Sequence, residues 1–227
     1  MELDLEPFLL SFKLAGITTL ILFFIAVPVS WWLSQTKCKC KAFVEAIVSL
    51  PIVLPPSVIG FYILYSLSYN SPLGAFFEEV FGVTLVFNFT GLVIASCFYS
   101  FPFMVQPLQG GFESLNKNML EASYIAGKTK LQTVFYVALP NIKPALISAV
   151  IITFAHTVGE FGVVLMVGGS IPGETKVASV AIYEMVEIMD YRQAHIYSAI
   201  MLAMSFIILL SVYMFNAHHK KRIGIGQ

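Results

Sequence analysis

Long apolar runs separated by short polar segments dominate the chain. A membrane-spanning helix takes about 20 mostly apolar residues. Five stretches reach that length: residues 9–34, interrupted near its start by Lys13, and then 43–67, 85–107, 140–167 and 194–215. The pattern predicts an all-α membrane protein of about five transmembrane helices, forming a single domain over residues 1–227. The longest connections on one side are residues 68–84 and 168–193. On the other side lies the segment 108–139.

Three segments depart from uniform apolarity. The second stretch carries Pro51, Pro55 and Pro56, each of which removes a backbone donor and bends a helix. Broken backbone at membrane depth is tolerated where it is buried in protein or lines a wet cavity, so Pro55, Pro56 and Ser57 are expected to face the protein interior. The fourth stretch runs into HTVGEFGVVLMVGGSIPGETK, where Gly159 and Gly162 loosen the helix around Glu160 and Phe161. His156 and Glu160 are four apart and would share a helical face. An ionisable group inside a span faces a bundle interior or water, and Glu160 is expected to hydrogen-bond adjacent backbone or His156. The third segment is the connection 108–139, in which Leu115, Met119, Ala122 and Ala126 recur at helical spacing. It predicts a short amphipathic helix at the membrane surface.

Composition narrows the function classes. Of 227 residues, 58% are hydrophobic and 11% charged, with 13 basic residues balancing 13 acidic ones. Such a chain cannot hide its apolar surface as a soluble enzyme, and no basic face is available for nucleic acid. Sorted across five spans, ten of the thirteen basic residues fall on one side: Lys37, Lys39, Lys41, Lys117, Lys128, Lys130, Lys143, Lys220, Lys221 and Arg222. The other side receives Glu2, Asp4, Glu6, Glu78, Glu79, Glu174, Glu184, Glu187 and Asp190. The positive-inside rule then puts the N-terminus outside and the C-terminus in the cytoplasm. The acidic start MELDLEP and the lack of an A-x-A site argue against a cleaved signal peptide. Cys38-x-Cys40 is too short and lacks partner ligands for a metal site, so no metal is expected. His218 and His219 read as solvated residues in a basic tail. Neither H-E-x-x-H, G-x-S-x-G nor a Walker A loop occurs. A transporter or channel subunit, working as an oligomer with its pathway at a symmetry axis, fits better than a membrane enzyme.

The segment Glu121-Ala122-Ser123, three residues, Gly127, nine residues, then Val137-Ala138-Leu139-Pro140 resembles the EAA loop of ABC importer permeases. Ser123 is the one departure in the first triplet. LPIVLPPSVIGFYIL, SFPFMVQPLQGGFESL and the HTVGEFG segment extend the resemblance over nearly the whole chain, to the molybdate branch. Sulfate/thiosulfate or tungstate permeases share much of this pattern.

The resemblance implies a type I importer permease fold in the cell inner membrane. It further implies a homodimer served by two ATP-binding subunits and an external binding protein, with an oxyanion as substrate. ATP and Mg2+ would act on the partner ATPase, and this chain would hold no cofactor. Glu121, Ala122, Ser123 and Gly127 would form a coupling helix docked on that ATPase, with Leu139 and Pro140 leading into the next span. Pro55–Ser57 and Gly159–Gly162 are expected near the dimer axis. A passive channel subunit or an integral-membrane enzyme is the competing class. No Lys or Arg lies deep in a span, so the choice of anion is expected to rest with the binding protein.

Overall fold

The computed structural model describes residues 4–222, without the side chains of Val212 and of residues 215–222. Glu2, and the side chains of His218, His219 and the basic residues 220–222, lie outside what is described. All regular structure among the described residues is helical. Three helices are long and apolar enough to cross a membrane, and the number rises to five if each of two bent helix pairs is one span.

The frame is made by α1 (Glu6–Gln35), α5 (Phe89–Glu113) and α9 (Lys143–Val158), which pack against one another. α1 is apolar all round, as a helix in lipid must be. Ser11, Leu14, Thr18, Leu22, Ala26, Ser30 and Leu33 nevertheless recur every three or four residues as its buried stripe. Leu9, Leu20 and Phe24, on the other side, are exposed. Small buried residues at the seams, among them Ala15, Ala95, Ser96 and Ala149, let the helices approach closely, which drives helix association in lipid. Hydroxyls tie the frame: Ser30 Oγ donates to Val105 O at 3.1 Å and Ser100 Oγ meets Thr157 Oγ1 at 2.9 Å.

The second apolar stretch is two helices, α2 (Lys41–Val53) and α3 (Pro56–Leu67), bent by 109° at Leu54–Pro55. Both connecting residues are extended, with ψ near 138°. Pro55 has no donor to continue α2, and the residue before a proline is pushed out of the helical region. Pro56 then opens α3, where a missing donor is harmless. A short α4 (Pro72–Phe81) follows, capped by the Ser71 side chain on Gly74 N.

The third stretch extends six residues past 107, to Glu113. Beyond it come α6 (Lys117–Ile125), α7 (Lys130–Thr133), a π-turn at Val134–Ala138 and α8 (Leu139–Asn141). The helical run 130–141 meets α9 at 83°. The fourth stretch is divided as well. α9 stops at Val158, and α10 (Gly162–Gly168) starts after a break and packs on α3 and α5. α11 (Ala178–Glu187) and α12 (Tyr191–Arg222) complete the chain. At this end Tyr197 Oη donates to Asp4 O at 2.7 Å, and Lys176 pairs with Glu184.

The contact between α3 and α10 depends on two glycines. A Cβ on Gly60 would sit 2.8 Å from Met166 Cβ, and one on Gly162 would sit 2.8 Å from Pro56 Cβ. Gly60→Val and Gly162→Val are expected to lower the thermal unfolding midpoint in detergent by several degrees, equivalent to about 1–3 kcal/mol of overpacking. Gly16→Ala, whose added Cβ inside α1 meets nothing, should leave the midpoint the same or slightly higher.

Candidate functional site

Two places carry the residues singled out in the sequence. The first is the reversal formed by α6 and α7. Asn116 caps α6, its side chain accepting from Asn118 N at 2.9 Å. The helix is closed by a paired C-terminal cap: Lys128 N donates to Ser123 O at 3.1 Å and Gly127 N to Tyr124 O at 2.9 Å. This cap needs a left-handed residue between the two donors, and Gly127 supplies it with φ 79°. Thr129 then starts α7 with a capping box, its hydroxyl accepting from Gln132 N while the Gln132 side chain accepts from Thr129 N.

The face that α6 buries is turned from the one its apolar spacing predicts. Leu120 and Ser123 are buried, whereas Ala122 and Ala126 are exposed. The reason is polar: Ser123 Oγ and Thr133 Oγ1 meet at 2.9 Å in a buried pair that staples α6 to α7. Hydrophobic periodicity assigns no weight to such a bond. Ser123, the departure from the EAA triplet, is thus part of the inner wall. Glu121, Ala122, Tyr124, Ile125 and Gly127 face outward, and Ile125 is 88% exposed.

Pro140 does not open the next span. It lies exposed in α8, and α9 begins at Lys143 with Pro144 in its first turn. The buried corner between them is Ile142, with φ −100° and ψ 17°. The π-turn just before Pro140 has a physical cause. Leu139 N bonds Val134 O, a step of five, and this wider register makes room for a proline ring that would otherwise press on the preceding turn. Leu139 packs partly buried against the core.

The second place is where the two breaks meet. Pro56, Tyr99, His156, Gly159, Glu160 and Phe161 line a cavity of about 440 Å³, with Gly162 at its edge. Pro55 and Ser57 are exposed beside it and do not line it. His156 stacks on Phe103 at 3.8 Å between centroids and lies 5.0 Å from Tyr99. Phe161 packs on Tyr183 at 5.0 Å.

Glu160 is 3% exposed, and its main-chain oxygen accepts from Ser179 Oγ at 2.6 Å. Among the described residues neither carboxylate oxygen makes a well-formed hydrogen bond, the Ser96 hydroxyl being the side chain that interacts with the carboxylate, and His156 Nε2 has no partner. The expected bond from Glu160 to backbone or to His156 is therefore not formed. The helical relation between the two residues ends with α9 at Val158, and the imidazole turns instead to the rings of α5. Thr133, Ile142 and Phe103 carry these arrangements without a motif to announce them. Only the tertiary contact singles them out.

Comparison with known proteins sets these features in a family. Residues 15–225 match the family described as binding-protein-dependent transport system inner membrane component. The molybdenum transport system permease protein ModB of Azotobacter vinelandii is 44% identical over 212 residues, covering 93% of this chain and 94% of that protein. The sulfate transport system permease protein CysT of Salmonella typhimurium is 30% identical over 194 residues, 86% of this chain and 70% of that one. Among solved structures, the inward-facing MetNI methionine ABC transporter aligns with a TM-score of 0.75 at 17% identity, covering 95% of each chain. A bacterial alginate ABC transporter in complex with its periplasmic protein aligns at 0.74 and 18%, covering 99% of this chain and 81% of that one. The fold is that of ABC importer permeases, and the chain belongs to the family of inner-membrane components of binding-protein-dependent transport systems.

Proposed function

We propose that this chain forms the membrane pathway of an ATP-driven molybdate importer, as one of two identical copies. The N-terminus would lie outside and the C-terminus in the cytoplasm. The observation that carries the substrate is the 44% identity to a molybdenum permease along 93% of the chain, against 30% to a sulfate permease. An external binding protein would deliver the oxyanion, and two ATP-binding subunits would bind and hydrolyse ATP with Mg2+.

The outward face of α6, with Glu121, Ala122 and Ile125, suits docking on the ATP-binding subunit. Ala122 allows close approach on this face, and its large groups Tyr124 and Ile125 are exposed, Ile125 at 88%. Three residues join α6 to α5, and the helical run 130–141 joins it to α9. A push on α6 is therefore delivered to two of the three frame helices. The two broken spans provide the part that switches. Packed helix contacts have discrete arrangements, and a nucleotide or a loaded binding protein can favour one of them only by binding it better. Pro55–Ser57 and Gly159–Gly162 would lie near the axis between copies. No Lys or Arg lies in that region, so the pathway would release the anion rather than hold it.

The test is uptake by the permease reconstituted in vesicles with its ATP-binding and binding-protein partners. ATP-dependent molybdate uptake, resistant to excess sulfate, is the expected result; sulfate uptake of equal efficiency would refute the substrate assignment. Gly127 gives a second measurement. A residue with a Cβ in its left-handed conformation is strained by about 1–2 kcal/mol, yet a Cβ there meets nothing in this chain. Gly127→Ala should lower uptake several-fold, and Gly127→Asn should retain most of it. Gly127→Leu, with bulk aimed at the partner, should also lose copurification of the ATP-binding subunit. Finally, in a cysteine-free background, Ser57→Cys and Phe161→Cys should crosslink between copies, whereas Leu20→Cys on the outer face of α1 should not.

A further inference from the structure

The bent span α2–α3 is not joined to α6 along the chain. Its chain neighbours are α1 and α4, and a cavity of about 610 Å³, lined by Thr36, Lys37, Lys41, Glu113, Glu121 and Tyr124, separates the α1–α2 connection from α6. The core holds α2 only at one point, where Val48 enters it and Val44 packs beside it. Of its 13 residues only Val48 is buried, and the helix it packs on is α5. Displacement of α6 could leave α2 behind unless another interaction couples α2 to α5.

That interaction is a row of polar side chains. On α2, Lys41, Glu45 and Ser49 fall at four-residue steps and so share one face. On α5, Gln106, Gln109 and Glu113 fall at steps of three and four on the facing side. Lys41 Nζ donates to Glu113 Oε1 at 2.8 Å and lies 3.6 Å from Glu45 Oε1. Gln109 Nε2 donates to Glu45 Oε1 and, at 3.0 Å, to Glu113 Oε1. Gln106 Nε2 donates to Ser49 Oγ at 3.0 Å. Lys41, Glu113, Gln109 and Glu45 thus close a ring at the end of the helices nearest α6, and the Gln106–Ser49 bond continues it about one turn deeper.

We propose that this polar seam is the strut that makes α2 move with α5, so that displacement of α6 reaches the bend at Leu54–Pro55. Directional bonds suit the task. A bond with preferred distance and angle loses its partner after a short slip, so the row fixes a register that the single buried residue of α2, Val48, leaves weakly set. Lys41 and Glu113 act here as positioning residues. The proposal rests on reading the chain as the pathway subunit of an ATP-driven importer.

The experiment uses the assembled transporter in vesicles and measures molybdate uptake per ATP hydrolysed. Glu113→Lys places two ammonium groups against each other and should lower that ratio at least fivefold. Copurification of the ATP-binding subunit and the thermal midpoint should stay as in the native chain. The charge-swapped pair Lys41→Glu with Glu113→Lys restores the opposition of charges and should bring the ratio back to within about twofold. A Glu113→Lys variant with an unaltered ratio, or a swapped pair no better than Glu113→Lys alone, overturns the proposal. A second readout needs no substrate. Spin labels at Phe43 on α2 and Ser114 after α5 should keep one distance in the nucleotide-free and vanadate-trapped complexes, and a changed distance overturns the strut. If the native complex hydrolyses ATP without taking up molybdate, the substrate assignment fails, and the labelled distance still decides the seam.

Discussion

Backbone polar groups inside a membrane must find partners within the protein, because lipid offers none. This chain nevertheless breaks its apolar stretches twice, at Leu54–Pro55 and at Gly159–Phe161. The breaks are placed to satisfy that constraint. Pro55 and Pro56 have no amide hydrogens to orphan. The opened backbone at Glu160 is tied to α11 through Ser179. The two breaks also face each other, Pro56 against Gly162 and Gly60 against Met166. Each irregular segment therefore shields the other from lipid, and the cavity lined by His156 and Glu160 is what remains between them.

Around these breaks the molecule divides by the kind of packing it uses. α1, α5 and α9 are joined by small residues and buried hydroxyl bonds and form the part least able to deform. α2 and most of α3 show their apolar side chains outward, with Phe43, Ile47, Val53, Phe61 and Tyr62 all exposed. Beyond Val44 and Val48, which reach the core, partly exposed polar bonds hold α2 to α5. Past its bend of 109° the span is held by the close packing of α3 on α10, while α2 buries little and the end where it is anchored lies beside α6.

The α6–α7 reversal shows how a short segment is made stiff enough to push against. Caps close both helices, Gly127 supplies the turn, and Ser123 with Thr133 locks the two together from inside. The buried side being satisfied, the outward side is free to be chosen for a partner. That separation is why Ser123, although inside the family-like triplet, belongs to the buried side of α6 rather than to its outward face.

The sequence by itself determined the parts that depend on composition along one helix. Apolar length gave α1, α5 and α12. Prolines and glycines marked both breaks, and the spacing of Glu121, Gly127 and Leu139 marked the surface loop. Those signals are local, since they reflect what lipid and backbone chemistry demand of consecutive residues. Tertiary structure alone decided what depends on residues far apart in the chain. It brought Pro56 to Gly162, turned His156 from Glu160 towards Phe103, and moved the start of α9 from Pro140 to Lys143. It also rotated α6 onto Ser123 and aligned Lys41 with Glu113. Each of these outcomes is settled by a single close contact or hydrogen bond between segments. Such a contact leaves no periodic trace in either segment, so no reading of one helix at a time could have found it.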